Sequence, residues 1–434
     1  MKLRSYTDLA AICLWVLISA SLFAADEVAV GDTLTLDFAV KLALEHHPSL
    51  RIAEADALSA RAALTRAQSG YYPSLNLSGS LSRSEAPQSL PTGIASGTRT
   101  ANSYGASLQL QQTIYDFGRT RSNVRSARQS QASVAAGDNG LLQDLILNVQ
   151  VAYFELWQAQ AAERVSEEAV ARAEDHLRQI REFFRVGRRA QFDVTRAEVD
   201  AADAGVKLIQ ARNQTRLAKL QLETAMGIHP AAEYALAEPP AMEPGSFTLV
   251  TACAIADTTR PELISARARL LALQALVSAN RARRYPSLAA VGSLGYSDSE
   301  FPLKRRVSGG VSLGLPLFLG FDLSAQIEQA RASAAAADAT LALEREAVMV
   351  EVEREYLSVN EAHERRGAVE KLVAAAGESL NLAERQYAAG VASIIDVTDA
   401  RVVLSSARLA LIQAVTDYHI AHARLLRAMG IDGR

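Results

Sequence analysis

Two cysteines, twelve prolines and two tryptophans are all that a chain of 434 residues contains of these types. Cys13 lies inside an N-terminal apolar run, so Cys253 stands alone in the body of the chain. One cysteine makes no internal disulfide, and no metal-ligand spacing surrounds it. Proline is absent from 119–186 and from 322–389, so nothing there breaks two very long helices. An excess of one charge is also missing: 45 Lys and Arg stand against 48 Asp and Glu, which points away from nucleic acid. No mature helical stretch is apolar enough to enter a bilayer. There is no G-x-S-x-G, no Walker motif and no glycine-rich phosphate loop, so no cofactor is expected and an enzyme reading has little support. His419 and His422 stand at i, i+3 without a third ligand, and read as solvated or packed rather than metal-binding. His46 and His47 read as helix surface.

The first residues form a secretory signal. Lys2 and Arg4 precede the apolar run Leu9 to Phe23, and Ala24 and Ala25 offer a cleavage region, which assigns 1–25 to a signal peptide. The remainder is duplicated. Tyr72-Pro73-Ser74-Leu75 matches Tyr285-Pro286-Ser287-Leu288, and Val149 and Tyr153 match Val352 and Tyr356. Gly187 and Asp193 match Gly390 and Asp396, each before a Val-Thr pair. Ala225-Met226-Gly227-Ile228 matches Ala428-Met429-Gly430-Ile431. These matches set a first repeat over 26–228, a linker over 229–249 that holds the prolines from Pro239 to Pro244, and a second repeat over 250–434.

Each repeat has one order of elements. A helical pattern, Leu36 to Tyr71 and then Thr248 to Arg284, ends at Tyr-Pro. Two alternating segments follow, about 74–82 and 103–114 in the first repeat, about 287–296 and 307–318 in the second. Leu75, Leu77 and Leu81 share one face against Ser74, Asn76, Ser78 and Ser80. The other segments place Tyr104, Ala106, Leu108 and Leu110, then Leu288, Ala290, Leu294 and Tyr296, then Val307, Val311, Leu313 and Leu315 on their apolar faces. Period two over about ten residues is the pattern of a membrane β-strand. A proline-free run then predicts a helix of about 100 Å. A glycine turn reverses it into a returning helix of about half that length.

Four lipid-type strands cannot close a barrel alone, and open sheet edges are not tolerated in a bilayer. Several chains must therefore share one barrel. The duplicated helix–hairpin–helix plan, the Tyr-Pro before each first strand, the glycine tips and the closing A-M-G-I resemble the TolC-like outer-membrane efflux and secretion channels. The resemblance covers nearly all of the mature chain. It implies a mixed, mainly α fold: a long α-helical barrel in the periplasm, continuous with a transmembrane β-barrel in the outer membrane to which each chain of a homotrimer gives four strands. It also implies a periplasmic adaptor and an inner-membrane transporter as partners, with this chain as the passive exit duct.

Carried over by motif, Asp396 and Asp399 are the acidic rings of a periplasmic gate, Tyr387 its tyrosine, and Asp193 the partner acid from the first repeat. The family's adaptor-docking tips fall on Val186, Gly187, Gly390 and Val391. Where the best-known member has an arginine two residues after the tip glycine, this chain has Ala392, while Arg188 and Arg189 sit on the other tip. N-capping of the returning helices is the simpler role for Asp193 and Asp396. The alternative to a channel is a periplasmic coiled-coil adaptor or scaffold with soluble β-hairpins.

Overall fold

A computed structural model describes residues 33–89, 95–228, 234–238 and 247–431, so the signal segment and most of the inter-repeat linker lie outside the described residues. The first repeat contains β1 (Thr33–Leu34), α1 (Leu36–His46), α2 (Pro48–Gln68), β2 (Ser74–Ser89), β3 (Ala95–Tyr115), α3 (Arg119–Arg185) and α4 (Gln191–Met226). The second contains β4 (Ala235–Leu236), α5 (Leu249–Thr259), α6 (Pro261–Ala282), β5 (Ser287–Asp298), β6 (Lys304–Gly314), α7 (Asp322–Ala388) and α8 (Ile394–Ala428). The duplication is close in length: α3 and α7 have 67 residues each, and α4 and α8 have 36 and 35.

The opening helical pattern of each repeat is two helices, not one. Pro48 and Pro261 push the residue before them out of the α region, so His47 lies at φ −68°, ψ 128° and Arg260 at φ −62°, ψ 119°. The hairpin arms β2 and β3 run further than their alternating segments. Backbone pairing continues through Arg83 with Asn102 and Glu85 with Thr100, because an antiparallel ladder needs only partners for its N–H and C=O groups. β6 starts three residues earlier than expected, at Lys304, and ends at Gly314, two residues before Pro316, which has no N–H to donate.

The helices form a wall one layer thick. α2 and α4 pack on one side of α3, α6 and α8 pack on its other side, and α7 packs beyond them. Two columns are single long helices and two are stacked pairs. The β1–β4 parallel pair, α1 and α5 cover the middle of this wall. Here lies the main core. Leu42 and Ala43 of α1 meet Leu145, Val149, Tyr153 and Leu156 of α3, and Leu222 and Met226 of α4. The buried Tyr153 hydroxyl donates to the carbonyls of Leu34 (3.1 Å) and Ala237 (2.9 Å), which ties the β1–β4 pair to α3. A second core joins Ala252 and Ala256 of α5 to Val348 and Val352 of α7 and Leu425 of α8.

Two buried arginines form a network at this level, and Arg427 carries it across to the first repeat. Arg427 Nε is 2.7 Å from Asp144, and its Nη2 is 2.5 Å from Glu262. Arg260 reaches Glu262 (2.9 Å), Glu351 (2.5 Å) and the carbonyl of Arg427 (2.6 Å). Burial favours the neutral acid, yet the hydrogen bond from Arg427 and the Arg260 charge hold Glu262 below its ordinary range.

Candidate functional site

The strands form one four-stranded antiparallel sheet in the order β2-β3-β5-β6. Register places Leu77, Leu108, Leu294 and Val307 in one row, and Leu75 and Leu110 in another, so one face is apolar from edge to edge. That face is open. Leu77 is 79% exposed and Leu313 70% in a single chain. The other face carries serines and glutamines, with Ser78 Oγ 2.8 Å from Ser107 Oγ and Ser293 Oγ 2.8 Å from Ser308 Oγ. Among the described residues, β2 and β6 each leave one edge unpaired.

Aromatic rings flank the apolar face at both ends. At the helix end, Tyr115 packs on Phe117 (centroids 4.8 Å) and Phe117 on Tyr285 (5.1 Å), with Tyr72, Phe318 and Phe321 exposed beside them. At the far end Tyr104 packs on Phe301 at 5.1 Å. An apolar face bounded by two aromatic girdles is the outer surface of a membrane barrel. Tyr104 stood in the alternation, but Phe117, Phe318 and Phe321 escaped it because they lie outside the strands. The signal was present in the sequence as Tyr-Asp-Phe-Gly at 115–118 and Phe-Leu-Gly-Phe at 318–321, equivalent positions of the two repeats.

The two hairpin tips stand at the other end of the wall. Gly187 (φ 73°) and Gly390 (φ 78°) take the left-handed conformation that ends α3 and α7 and turns the chain. Val186 and Val391 are exposed beside them, at 67% and 82%. Tyr387, Asp193, Asp396 and Asp399 all lie at this end, but they are used differently. Arg189 connects the two tips: its Nη2 donates to the Tyr387 hydroxyl, its guanidinium lies 5.1 Å from the centre of the Tyr387 ring, and its Nη1 is 4.0 Å from Asp193. Arg189 stands two residues after Gly187, so this tip carries the arginine that Ala392 leaves out of the other.

Asp193 is not an N-cap. α4 starts two residues earlier, at Gln191, with Ala190 at the cap position and no side-chain capping bond. Asp396 does serve the helix start. Ser393 is the N-cap of α8 and accepts from Ile395 N (3.1 Å) and Asp396 N (3.4 Å), while Asp396 Oδ2 accepts from Ser393 N at 2.7 Å. Asp399 is exposed and has no hydrogen-bond or ion-pair partner among the described residues.

Between sheet and tips, a groove of about 1660 Å³ runs across the wall. Every column contributes: Gln221 from α4, Ser133 and Asp144 from α3, Ser265 and Arg269 from α6, Thr340 and Glu344 from α7. The lining is mixed, with these polar groups set among Leu141, Leu145, Leu217, Leu220 and Leu273. The wall's two outer columns carry unused apolar stripes. Phe192, Val199 and Val206 recur every seven residues on α4, and Leu343, Val350 and Leu357 on α7. Each lies roughly opposite its helix's buried face, which Val194 and Ala197 mark on α4 and Val348 and Val352 on α7.

A grooved helical wall that carries a lipid-faced sheet with two free edges defines one subunit of a membrane-spanning tunnel protein. The comparisons name the group. The family model for outer membrane efflux proteins matches residues 39–228 and 255–431, and the chain belongs to that family. It is 26% identical over 422 residues to the outer membrane protein TolC of Escherichia coli, covering 88% of this chain and 80% of the relative. It is 27% identical over 414 residues to protein CyaE of Bordetella pertussis, covering 93% and 85%. A membrane protein from Pseudomonas aeruginosa has the same fold, with a TM-score of 0.81 over 91% of this chain and 93% of that one, at 24% identity. The chain is thus an outer-membrane channel protein whose helical wall stands in the periplasm.

Proposed function

We propose that three copies of this chain close into one passive exit duct, which receives substrate from an inner-membrane transporter through a periplasmic adaptor. The observation that carries this reading is the agreement of the free edges. β2 and the α2/α4 column end the wall on one side, β6 and α7 on the other, and both sides present unpaired backbone or an apolar seven-residue stripe. A copy rotated about a common axis satisfies both at once. Two copies would give eight strands, a barrel whose interior side chains fill. Three give twelve and leave a lumen. The serine and glutamine face of the sheet then continues the groove of the helical wall.

At the periplasmic end Asp396 and Asp399 from three chains surround the axis, where clustered carboxylates repel one another and attract cations. Arg189 holds Tyr387 and Asp193 together and keeps the two hairpins of a chain closed. Val186, Gly187, Gly390 and Val391 face the adaptor, a docking surface of exposed turns. The protein supplies a conduit and no chemistry of its own.

The mass of the mature protein by light scattering, with and without detergent, tests the assembly. A particle of three chains that requires detergent is expected. A monomer or dimer soluble without detergent would overturn the duct and restore the adaptor or scaffold reading. In planar bilayers, Arg189→Ala should raise conductance several-fold over the wild-type protein. Unchanged conductance in a trimeric Arg189→Ala protein would remove Arg189 from the gate.

A further inference from the structure

The outward face of the sheet ends in arginine on both edge strands. On β2, Leu75, Leu77 and Leu81 are followed by Arg83, two residues further along the same face. On β6, Leu313, Val311 and Val307 are followed by Arg305, again two residues further. Both arginines are exposed, and neither has an ion-pair partner among the described residues. They sit at the end of the sheet away from the helices but at different levels: Arg305 is the ladder partner of Tyr296, in the row of Ala106 and Gly79, whereas Arg83 stands two residues beyond Leu81, the partner of Tyr104, and so four residues beyond Gly79. Lys304, one residue away, is already neutralised by Asp298 at 2.8 Å. Glu85 follows Arg83 on the same face and accepts from Thr100 at 3.5 Å.

Within one chain Arg83 and Arg305 lie on opposite edges, with β3 and β5 between them. Closure of the barrel changes this, because β6 of one protomer then lies beside β2 of the next, and the stagger that a closed barrel requires can take up the four-residue offset between Arg305 and Arg83. We propose that Arg83 and the neighbouring protomer's Arg305 form an outward-facing seat for the phosphate of a phosphorylated glycolipid in the outer leaflet, one seat at each seam between protomers. The proposal rests on the shared barrel proposed above. The chemistry fits the place. Guanidinium groups bind phosphate oxygens through paired N–H donors. The adjoining rings suit the boundary between acyl chain and headgroup. The apolar residues below each arginine meet the acyl chains. A lipid so held bridges two subunits where only strand pairing otherwise joins them.

Native mass spectrometry of the detergent-solubilised full-length mature protein tests this with a bisphosphorylated lipid A and its fully dephosphorylated form as probes. Up to three bisphosphorylated lipids per trimer are expected, with much weaker retention of the dephosphorylated lipid. Arg83→Gln and Arg305→Gln should each weaken binding about tenfold, the loss of one charge-assisted contact. The double variant should lose specific binding. Arg306→Gln is the control. Arg306 is also exposed, but its partner Gly295 puts it on the lumen face, so lipid binding should not change. Equal retention by the double variant, an equal loss with Arg306→Gln, or full competition by millimolar inorganic phosphate would overturn the lipid seat. The same spectra count chains. A particle that is not a trimer would instead remove the assembly on which the seat depends.

Discussion

The returning helices α4 and α8 have a left-handed glycine at both ends, and the two ends differ in what surrounds it. At the wall's middle, a Cβ on Gly227 would lie 2.7 Å from His47 Cα, and one on Gly430 would lie 2.8 Å from Arg260 N. At the tips, Gly187 and Gly390 have nearly the same φ and nothing within 4 Å. The same turn chemistry thus serves as a packed joint in one place and a free end in the other. The joint is surrounded by both large cores and the Arg260–Arg427 network. The tips have a small core of Ile180, Val194 and Ala197, the Arg189 link, and exposed ion pairs such as Arg181–Glu198 and Arg401–Glu384. Local stability follows contact density. The proposed gate at the tips could therefore open without loosening the middle of the wall.

The largest effect should come from breaking the joint. Arg427 is 7% exposed and bonds to two acids from the other packing partners. Arg427→Ala should cost about 3 kcal/mol, the low end for a broken buried pair, because Asp144 is solvated and Glu262 keeps Arg260. Urea denaturation of the solubilised protein measures it. A loss below about 0.5 kcal/mol would rank this network with surface ion pairs and erase the contrast with the tips.

A pH change should reach the joint before the tips. His419 is 5% exposed and stacks on Phe154 at 4.7 Å. Burial, aided by the charges of His422 and Arg366, lowers its pKa to about 4. Above its ordinary value near 6.5 the ring is neutral whether folded or unfolded. Below that, the unfolded chain takes up a proton that the folded chain refuses. Stability is therefore full above pH 6.5 and is lost as pH falls toward 4, by roughly 3 kcal/mol at most. His422 is depressed by burial and acts in the same direction. His419→Gln should flatten the fall in urea midpoint between pH 7 and 4.5. His176, behind the tips, is lowered by burial and by Arg401, but it is half-exposed, so His176→Gln should flatten that curve less.

The duplication, the helix order and the inward and outward faces of the sheet were legible because each rests on a period or a repeated motif. Leu75, Leu77 and Leu81 lie on the apolar face that alternation assigns, with their ladder partners Leu110, Leu108 and Tyr104 beside them. The helix break at Pro48 was hidden by a pattern that stays amphipathic on both sides of it. The seven-residue stripe on α4 was hidden for the opposite reason. Phe192, Val199 and Val206 are spaced among charges, and only the packing of Val194 and Ala197 shows that they face away from the chain. The contact between Arg189 and Tyr387 spans 198 residues, a distance at which local sequence carries no signal.

The smallest effect separates two roles of one residue at the second tip. Asp396 closes a capping box with Ser393, so its carboxylate both starts α8 and, in the proposed gate, adds charge at the mouth. Ser393→Ala removes the cap and keeps the charge. It should cost about 1 kcal/mol locally and speed amide exchange in the first turn of α8 about fivefold, with the global urea midpoint unchanged. Asp396→Asn keeps a side-chain oxygen that can accept from Ser393 N and removes the charge. If charge sets the mouth's preference for cations, Asp396→Asn lowers cation selectivity in planar bilayers and Ser393→Ala does not. If both variants raise conductance alike, fraying of the helix start opens the duct, and Asp396 belongs with the helix caps rather than with an acidic ring. At the first tip, where Ala190 offers no cap to lose, the corresponding Asp193→Asn should act only through Arg189.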